Sequence, residues 1–280
     1  MSDENAPQVG STTWQPEYLR ANAAAQGGYL EAVSAAEVVR QAAEHAMALL
    51  ALQAGARVLE VGCGNGVFLP RLATAVGLTG QVVGIDHSSD LLEQARTRLT
   101  ELGIANAVQL KVCDAYQLPF GDGNFNAAHC ERVLMHLDEP KKALAEMARV
   151  VQPGGVVVAA EPDWAGIRLD HPDREAFDVV FRRALTHRNS DMGLRLFRLM
   201  GEVGLVRICH SNVSVVVEDF NAWRMYGLDL QPAVEQTAKE GTFSDGRLAA
   251  LLPALEQASS KGHFYSTVTI HVVAGMVHQA

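Results

Sequence analysis

The chain has 280 residues, of which 48% are hydrophobic and 20% charged, and its formal net charge at pH 7 is −9. This apolar content can fill one sizeable core, so we expect a single domain over residues 14–280. The acidic balance provides no basic surface for a phosphate backbone, which excludes nucleic acid as an expected partner. We find neither a signal peptide nor an apolar run long enough for a bilayer, so we expect a cytoplasmic protein that does not bind membranes.

The four cysteines are scattered along the chain without a C-x-x-C pair: Cys63, Cys113, Cys130 and Cys209. Three of them lie in apolar runs that are typical of strands. We therefore expect reduced, mostly buried thiols, and we expect neither disulfide bonds nor a metal site.

Residues 1–13 combine proline, glycine, serine and charge with little to bury, which predicts disorder. Residues 14–54 are rich in alanine and show helical periodicity, so they are expected to form an N-terminal helical cap. The pair Gly27-Gly28 predicts a break between a short helix and a longer one, and Gly55 predicts the turn into the first strand.

Strands and helices alternate over residues 55–161, the predicted cofactor-binding core, in a pattern typical of a parallel sheet covered on both faces. With right-handed crossovers this order gives an α/β, Rossmann-like, doubly wound sheet that binds ligands beyond the carboxyl ends of its strands. The predicted helices occupy residues 67–77, 88–103 and 139–151. The predicted strands occupy residues 57–62, 81–86, 107–114, 126–134 and 156–161, and a turn is predicted at 152–155.

The second half of the sequence is less regular. Residues 162–190 and 222–260 are longer than ordinary connections and contain helical patterns, so we interpret both as helical lid insertions over the substrate. A helix is predicted over residues 192–205, and two long β-branched strands over 206–220 and 263–277. We expect these two strands to form an antiparallel hairpin, which makes a seven-stranded sheet with an antiparallel last strand.

The most informative stretch is the glycine-rich turn after the first strand, "LEVGCGNG" at residues 59–66. A Walker loop needs a lysine and a hydroxyl residue after its final glycine, but Val67 and Phe68 follow Gly66. The dinucleotide fingerprint G-x-G-x-x-G has its third glycine where this chain has Val67. That interpretation is weakened but stays open, because Asp86 would suit a ribose.

Four motifs in order resemble those of class I S-adenosylmethionine-dependent methyltransferases, and most closely the UbiE-like (methyltransferase type 11) small-molecule group. They are the acidic residue and glycine loop of 59–66, "VVGID" at 82–86, "VCDAYQLPFGDGNFN" at 112–126 and "ALAEMARVVQPGGVVVAAE" at 143–161. The resemblance covers roughly residues 55–165 and implies S-adenosylmethionine as the cofactor and methyl transfer as the activity. One departure is Asn126, where the family usually has an aspartate with a structural role.

The resemblance implies a cofactor that lies across the ends of the first strands. Glu60 would accept from its ammonium group and Asp86 from both ribose hydroxyls, as charge-assisted hydrogen bonds. His87, Asp114 and the Ala115 backbone would meet the adenine. Asp86 and Asp114 have competing interpretations as a helix cap and a turn residue, and Cys63 as a buried apolar group. The remaining expected cofactor contacts are Tyr29, Gly62, Cys63, Gly64, Gly66 and Glu131.

A sulfonium is already an activated electrophile, so alignment of an acceptor and exclusion of water can be enough for methyl transfer. His136 and His187 are candidates for a catalytic base, although packing of His136 in a turn and solvation of His187 explain them equally well. His129 is interpreted as a core histidine. Trp164 and Tyr226 are expected to line the substrate pocket, with hinge packing as the competing role of Trp164.

We expect a small-molecule acceptor, such as a secondary metabolite, that is methylated on oxygen or nitrogen in preference to carbon. No N/D-P-P-Y segment follows the fourth strand, which argues against nucleobases and glutamine amides as acceptors. Two alternatives stay open: a protein that keeps the cofactor fold without methyl transfer, and a homodimer in place of a monomer.

Overall fold

The computed structural model describes residues 16–185, 188–224 and 230–278, with side chains described from residue 25 onward. The predicted disorder of residues 1–13 and the candidate residues His187 and Tyr226 lie outside the described residues.

Two helices precede a run of alternating strands and helices. The first part of the chain contains α1 (Pro16–Ser34), α2 (Glu37–Leu50), β1 (Arg57–Val61), α3 (Leu69–Val76), β2 (Gln81–Asp86), α4 (Ser89–Glu101), β3 (Val108–Val112), β4 (Phe125–Glu131), α5 (Pro140–Val150) and β5 (Val151–Pro162). The second part contains β6 (Arg168–Leu169), α6 (Arg174–Ala184), α7 (Met192–Glu202), β7 (Val206–Val217), α8 (Phe220–Arg224), α9 (Gln231–Lys239), α10 (Asp245–Ala249), α11 (Leu251–Ser260) and β8 (Ser266–Met276).

The strands form one mixed sheet whose parallel part has the order β3-β2-β1-β4-β5. β8 runs antiparallel between β5 and β7. The predicted α/β, Rossmann-like sheet with an antiparallel last strand is therefore confirmed. The predicted number of seven strands is wrong, because the two-residue strand β6 pairs with the start of β8 and makes eight. Two residues are too few to carry a period in the sequence.

The middle strands are buried because helices cover both faces of the sheet. β1, β2 and β4 are buried along almost their whole length, as expected for parallel strands without a solvated face. α3 and α4 pack on β2, while α2 and α7 pack on β5, β7 and β8. Asn126, the departure from the family pattern, lies at the start of β4, where its Oδ1 accepts from the Arg57 backbone N–H at 2.7 Å.

The predicted helix break at Gly27-Gly28 is wrong, because α1 continues through both glycines and ends at Ser34. Gly27 lies where α1 packs on α4, and a Cβ there would be 1.9 Å from Oε1 of Gln94. The glycine therefore permits a close contact between two helices and does not end either of them.

The predicted turn at residues 152–155 is also wrong, since these residues belong to β5 as an irregularity of the strand. Phe125 of β4 pairs with Val151, but Ala127 already pairs with Val156, so three extra residues of β5 bulge out of the ladder. Gly154, with φ of +79°, supplies the left-handed conformation that such a bulge requires.

The two predicted lid insertions are helical, and in the structure they pack against each other. α6 contacts α9, and the guanidinium of Arg247 binds the carboxylates of Asp173 and Glu175. His171 joins the same two segments, because its Nε2 lies 3.1 Å from the backbone oxygen of Leu251. We call residues 168–184 together with the described residues of 220–264 the helical unit. No helix in the described ranges is both long and apolar enough to span a membrane.

Candidate active site at the carboxyl ends of the strands

A cavity of about 450 Å³ opens beyond the carboxyl ends of β1, β2 and β4. Its wall is formed by the glycine loop after β1, by the loops after β2, β3 and β4, and by side chains of α1 and α2. The cavity brings together most of the residues that the sequence singled out: Tyr29, Glu60, Gly62, Cys63, Gly64, Asp86, His87, Asp114, Ala115, Glu131, His136 and Trp164.

Asp86 joins the glycine loop to the loop after β2. Its Oδ2 accepts from the Gly64 backbone N–H, and its Oδ1 accepts from the Ser88 backbone N–H, both at 2.9 Å. The carboxylate is only 6% exposed but still forms part of the cavity wall. Asp86 therefore has a structural role, and each of its carboxylate oxygens still has the capacity to accept a further hydrogen bond at the cavity wall. Ser88 caps α4, because its Oγ accepts from the Leu91 N–H.

Gly62 and Gly66 have steric reasons to be glycine that concern the protein itself. At Gly62 (φ +69°) a Cβ would lie 2.4 Å from Cγ2 of Val133 in the loop after β4. At Gly66 (φ +78°) it would lie 2.9 Å from Cβ of Ala95 in α4. Gly62 lines the cavity and Gly66 does not, so Gly66 serves the packing of the loop on α4.

Glu60 is buried at the end of β1 and paired with His129. His129 Nδ1 and Glu60 Oε2 are 2.7 Å apart, and the residues are 0% and 2% exposed. Burial raises the pKa of Glu60, although the nearby His129 lowers it in part. Burial is the largest single influence on the pKa of His129 and would lower it, but the charge and hydrogen bond of Glu60, with the charges of Glu131 and Glu161, together shift this pKa upward. Each shift favours the protonated form of its own group. His129 is a core histidine, as the sequence suggested, but it has an acidic partner that sequence reasoning missed.

Asp114 and Ala115 line the cavity in the loop after β3. Asp114 Oδ1 accepts from the Tyr116 backbone N–H at 2.8 Å, which is the Asx-turn geometry of an aspartate that leaves a strand. One carboxylate oxygen therefore shapes the turn. The thiol of Cys63, in the glycine loop, is 8% exposed, and burial raises its pKa well above the usual range, so it is an unreactive thiol.

Glu161 organises the loop after β4 and was missed as a site residue from the sequence. Its carboxylate accepts the backbone N–H groups of Val133, Leu134 and Met135 at 2.8, 2.6 and 3.3 Å. These bonds hold the single 3-10 turn Leu134–His136 against the end of β5. Glu161 is completely buried, and burial raises its pKa to about 7 despite the three N–H bonds. The three backbone partners of Glu161 are 26 to 28 positions earlier in the chain, so no local sequence pattern could predict these hydrogen bonds.

The far end of the cavity is formed by residues of this turn and by the start of the first insertion. His136 and Met135 line it, and Trp164 Nε1 donates to Met135 Sδ at 3.2 Å. Arg132, which sequence reasoning also missed, lines the wall with φ of +56°, a strained conformation for a side chain of its size. Burial raises the pKa of Tyr29, and the charge of Arg132 opposes this shift.

None of the described residues after Trp164 lines the cavity. The described part of the helical unit therefore forms no part of the cavity wall. Trp223, in the second predicted lid insertion, is fully buried in the helical unit beside Phe181 and Phe220. Within the described part of the chain, no three His, Cys, Asp or Glu side chains are grouped as metal ligands.

A family model of the methyltransferase domain matches residues 52–175. An uncharacterized 37.1 kDa protein in transposon TN4556 of Streptomyces fradiae is 33% identical over 252 residues, which are 88% of this chain and 69% of that protein. A demethylmenaquinone methyltransferase of Desulfitobacterium hafniense is 34% identical over 117 residues, 41% of this chain and 46% of that enzyme. The chain belongs to the class I S-adenosylmethionine-dependent methyltransferases.

A phosphatidylethanolamine N-methyltransferase of Cereibacter sphaeroides is 38% identical to this methyltransferase over 104 residues, 37% of this chain and 49% of that enzyme. The chain therefore spans about half the length of these two named methyltransferases. Among solved structures, the YcgJ protein of Bacillus subtilis superposes with a TM-score of 0.60 at 16% identity over 86% of this chain and all of that one.

A second fold relative is the phosphoethanolamine N-methyltransferase 2 of Haemonchus contortus, with a TM-score of 0.59 at 18% identity over 97% of this chain and 61% of that one. It was solved with S-adenosylhomocysteine. A further structure of the same enzyme, with a TM-score of 0.56 at 18% identity, was solved with S-adenosylmethionine, the cofactor that the sequence motifs of the present chain imply.

The residues around the cavity fit this cofactor. The volume of the cavity, about 450 Å³, falls within the roughly 300–1,000 Å³ that is typical of small-molecule sites. Three carboxylates, Glu60, Asp86 and Asp114, stand at the ends of three neighbouring strands along one wall. That spacing suits a ligand with an ammonium group, a ribose and an adenine amino group in a row, each of which donates hydrogen bonds.

Proposed function

We propose that the cavity holds S-adenosylmethionine along the strand ends and a small-molecule acceptor at its far end. Glu60 accepts from the ammonium, Asp86 from the ribose hydroxyls and Asp114 from the adenine amino group. The observation that carries this assignment is the row of three carboxylates at consecutive strand ends on one cavity wall. The further cofactor contacts in this proposal are Tyr29, Gly62, Cys63, Gly64, His87, Ala115 and Glu131.

The acceptor end consists of Arg132, Met135, His136 and Trp164. These residues stand past Glu131, on the side of the cavity away from the ends of β2 and β3. When bound, the cofactor supplies a methyl group on an activated sulfonium. The protein contributes the alignment of the acceptor, with Trp164 and Met135 as an apolar wall that excludes water.

His136 is the candidate base for an acceptor hydroxyl, because an imidazole can accept a proton near neutral pH. An acceptor with an amine or an activated carbon needs only alignment. The names of the relatives include a demethylmenaquinone methyltransferase and a phosphatidylethanolamine N-methyltransferase, so both carbon and nitrogen acceptors occur among them. We propose that the acceptor is a small organic molecule. A requirement for His136 as a base would distinguish a hydroxyl acceptor from an amine or carbon acceptor.

Titration calorimetry with two ligands tests the cofactor assignment. S-adenosylhomocysteine carries the amino-acid part, the ribose and the adenine, whereas 5′-methylthioadenosine carries only the ribose and the adenine. Asp86→Ala is expected to lower the affinity for both ligands by about tenfold or more, since it removes a charged acceptor for the ribose hydroxyls. Asp90→Ala, outside the cavity wall, is the matched control and leaves both unchanged. Tight NAD binding without any response to S-adenosylhomocysteine would contradict the proposal.

The acceptor assignment is tested by incubation of the protein with methyl-labelled S-adenosylmethionine and a small-molecule extract. Transfer of label to a low-molecular-weight product is expected. His136→Asn then separates the acceptor classes, because it slows the methylation of a hydroxyl more than that of an amine. Label that stays on the cofactor in every extract, with S-adenosylhomocysteine binding intact, would refute methyl transfer to a small molecule.

A further inference from the structure

Glu60 and His129 face each other across two neighbouring strands. In the parallel ladder between β1 and β4, their Cα atoms are direct partners. Side chains at partnered positions project to the same face of a sheet, so the two groups meet side by side. The resulting 2.7 Å contact between His129 Nδ1 and Glu60 Oε2 is built into the strand register and does not depend on a mobile loop.

The two partners differ in their access to the cavity. Glu60 forms part of the cavity wall, while His129 lies behind it and does not. The imidazole is completely buried, with its ring stacked on that of Phe68 at 4.4 Å between centroids. His129 therefore touches the Glu60 carboxylate from the protein side, opposite the space where a ligand would lie.

Packing alone does not account for a histidine at this position. Its second nitrogen, Nε2, is buried without a hydrogen-bond partner among the described residues. A buried polar atom without a partner destabilises the folded state, and an apolar side chain would avoid this cost. The neighbours along β4, Ala127, Ala128 and Cys130, are small or apolar. The imidazole thus has an unsatisfied atom on one side and an acidic partner on the other.

We propose that His129 is a positioning residue that holds the Glu60 carboxylate in place for the ammonium group of the cofactor. The inference rests on the proposed function, in which Glu60 receives that ammonium. His129 donates to one carboxylate oxygen and leaves the other oxygen available at the cavity wall. A carboxylate that is fixed before binding loses less side-chain freedom when the ligand arrives, so the contact strengthens recognition of the amino-acid part.

The test compares the same two ligands in variants of His129. His129→Leu removes the donor. It is expected to lower the affinity for S-adenosylhomocysteine by about tenfold, while the affinity for 5′-methylthioadenosine, which has no ammonium, stays the same. His129→Asn places an amide donor near the position of Nδ1 and is expected to restore most of the lost affinity. If His129→Leu does not fold, His129→Gln takes its place, because its amide reaches the Nε2 position instead.

His171→Leu is the control, since His171 is also a buried histidine but belongs to the helical unit, outside the cavity. Its loss is expected to lower stability without a change in the ratio of the two affinities. Equal weakening of both ligands by His129→Leu, or equal behaviour of His129→Asn and His129→Leu, would overturn the positioning role. Failure of the proposed function is distinguishable, because the unaltered protein would then bind neither ligand.

Discussion

Glu161 is a buried carboxyl that serves the site without lining the cavity. Its two oxygens accept three consecutive N–H groups, so the backbone of residues 133–135 depends on one side chain. Because the turn carries Met135 and His136, the position of the proposed acceptor end follows from this contact. The group is poised to titrate near neutral pH, since burial raises its pKa to about 7.

The free energy of unfolding is expected to fall as pH rises through the range between the two Glu161 pKa values. The folded-state pKa of about 7 lies above the usual 4.5, so the native state binds more protons than the unfolded state across that interval. The contribution amounts to about 3 kcal/mol between pH 4.5 and 7. Glu161→Gln should remove this part of the slope in urea titrations at several pH values. Glu93→Gln, at an exposed position, should retain it, and an unchanged slope in Glu161→Gln would contradict the assignment.

At the scale of single elements, the glycine loop links β1, α1 and the loop after β4. Gly62 approaches Val133, Gly64 approaches Leu30 of α1, and Asn65 Nδ2 donates to the Gly27 oxygen at 3.1 Å. The loop therefore positions its neighbours and also forms part of the cavity wall. A substitution there alters several walls of the cavity together.

Gly62→Ala and Gly103→Ala form a matched pair that separates backbone strain from steric overlap. Both glycines have φ of +69°, but a Cβ at Gly62 would meet Val133 at 2.4 Å, while nothing lies within 4 Å at Gly103. Both variants carry the left-handed penalty, and Gly62→Ala is expected to lose roughly 1–3 kcal/mol more. Only Gly62→Ala should also weaken S-adenosylhomocysteine. Equal stability losses in urea unfolding would show that Val133 moves away freely.

The elements that the sequence predicted well are those with a strong local period. β2 was predicted with its true bounds, and α4 with Ser88 or Ser89 as its N-cap, of which Ser88 is the cap observed, because a short apolar run and a capping serine are local signals. The bulge in β5 and the course of α1 through Gly27 depend on partners far along the chain. The sequence cannot show these partners, because a glycine that permits packing looks the same as one that ends a helix.

The residues of the candidate site were likewise predicted where a local motif marks them and missed where the contact depends on distant partners. The sequence named Glu60 and Asp86 from motifs at strand ends, and both line the cavity. It did not pair Glu60 with His129, since that contact requires the strand order, in which β1 lies between β2 and β4. Arg132 was missed because its left-handed backbone has no signature in residue type.

At the scale of the whole molecule, the helical unit and the cavity are separate structures on one sheet. Phe177, 2% exposed, stacks on Phe181 in the centre of the helical unit, and neither residue lines the cavity. The lid role predicted for residues 162–190 and 222–260 rests on Trp164 alone among their described residues. Changes within the helical unit should therefore be felt as stability and not as cofactor affinity.

Phe177→Ala is expected to lower the free energy of unfolding by about 3–5 kcal/mol, since it opens a cavity in a packed aromatic cluster. S-adenosylhomocysteine affinity should stay within about twofold below the melting temperature, because distant sites act independently. Calorimetry and thermal unfolding measure the two effects. A large loss of affinity in the folded variant would mean that the helical unit acts on the cavity.

The position of β8 between β5 and β7 has a consequence for biosynthesis. β7 pairs with no other described strand, and β5 has β8 as its antiparallel neighbour. Residues 266–276 are synthesised about fifty positions after β7. β5 and β7 therefore leave the ribosome with unpaired edges, which are covered only when β8 has been made. Until then the nascent chain exposes two long β-branched edges, the kind of surface that recruits chaperones or aggregates. Completion of the sheet is thus timed by translation of a single strand.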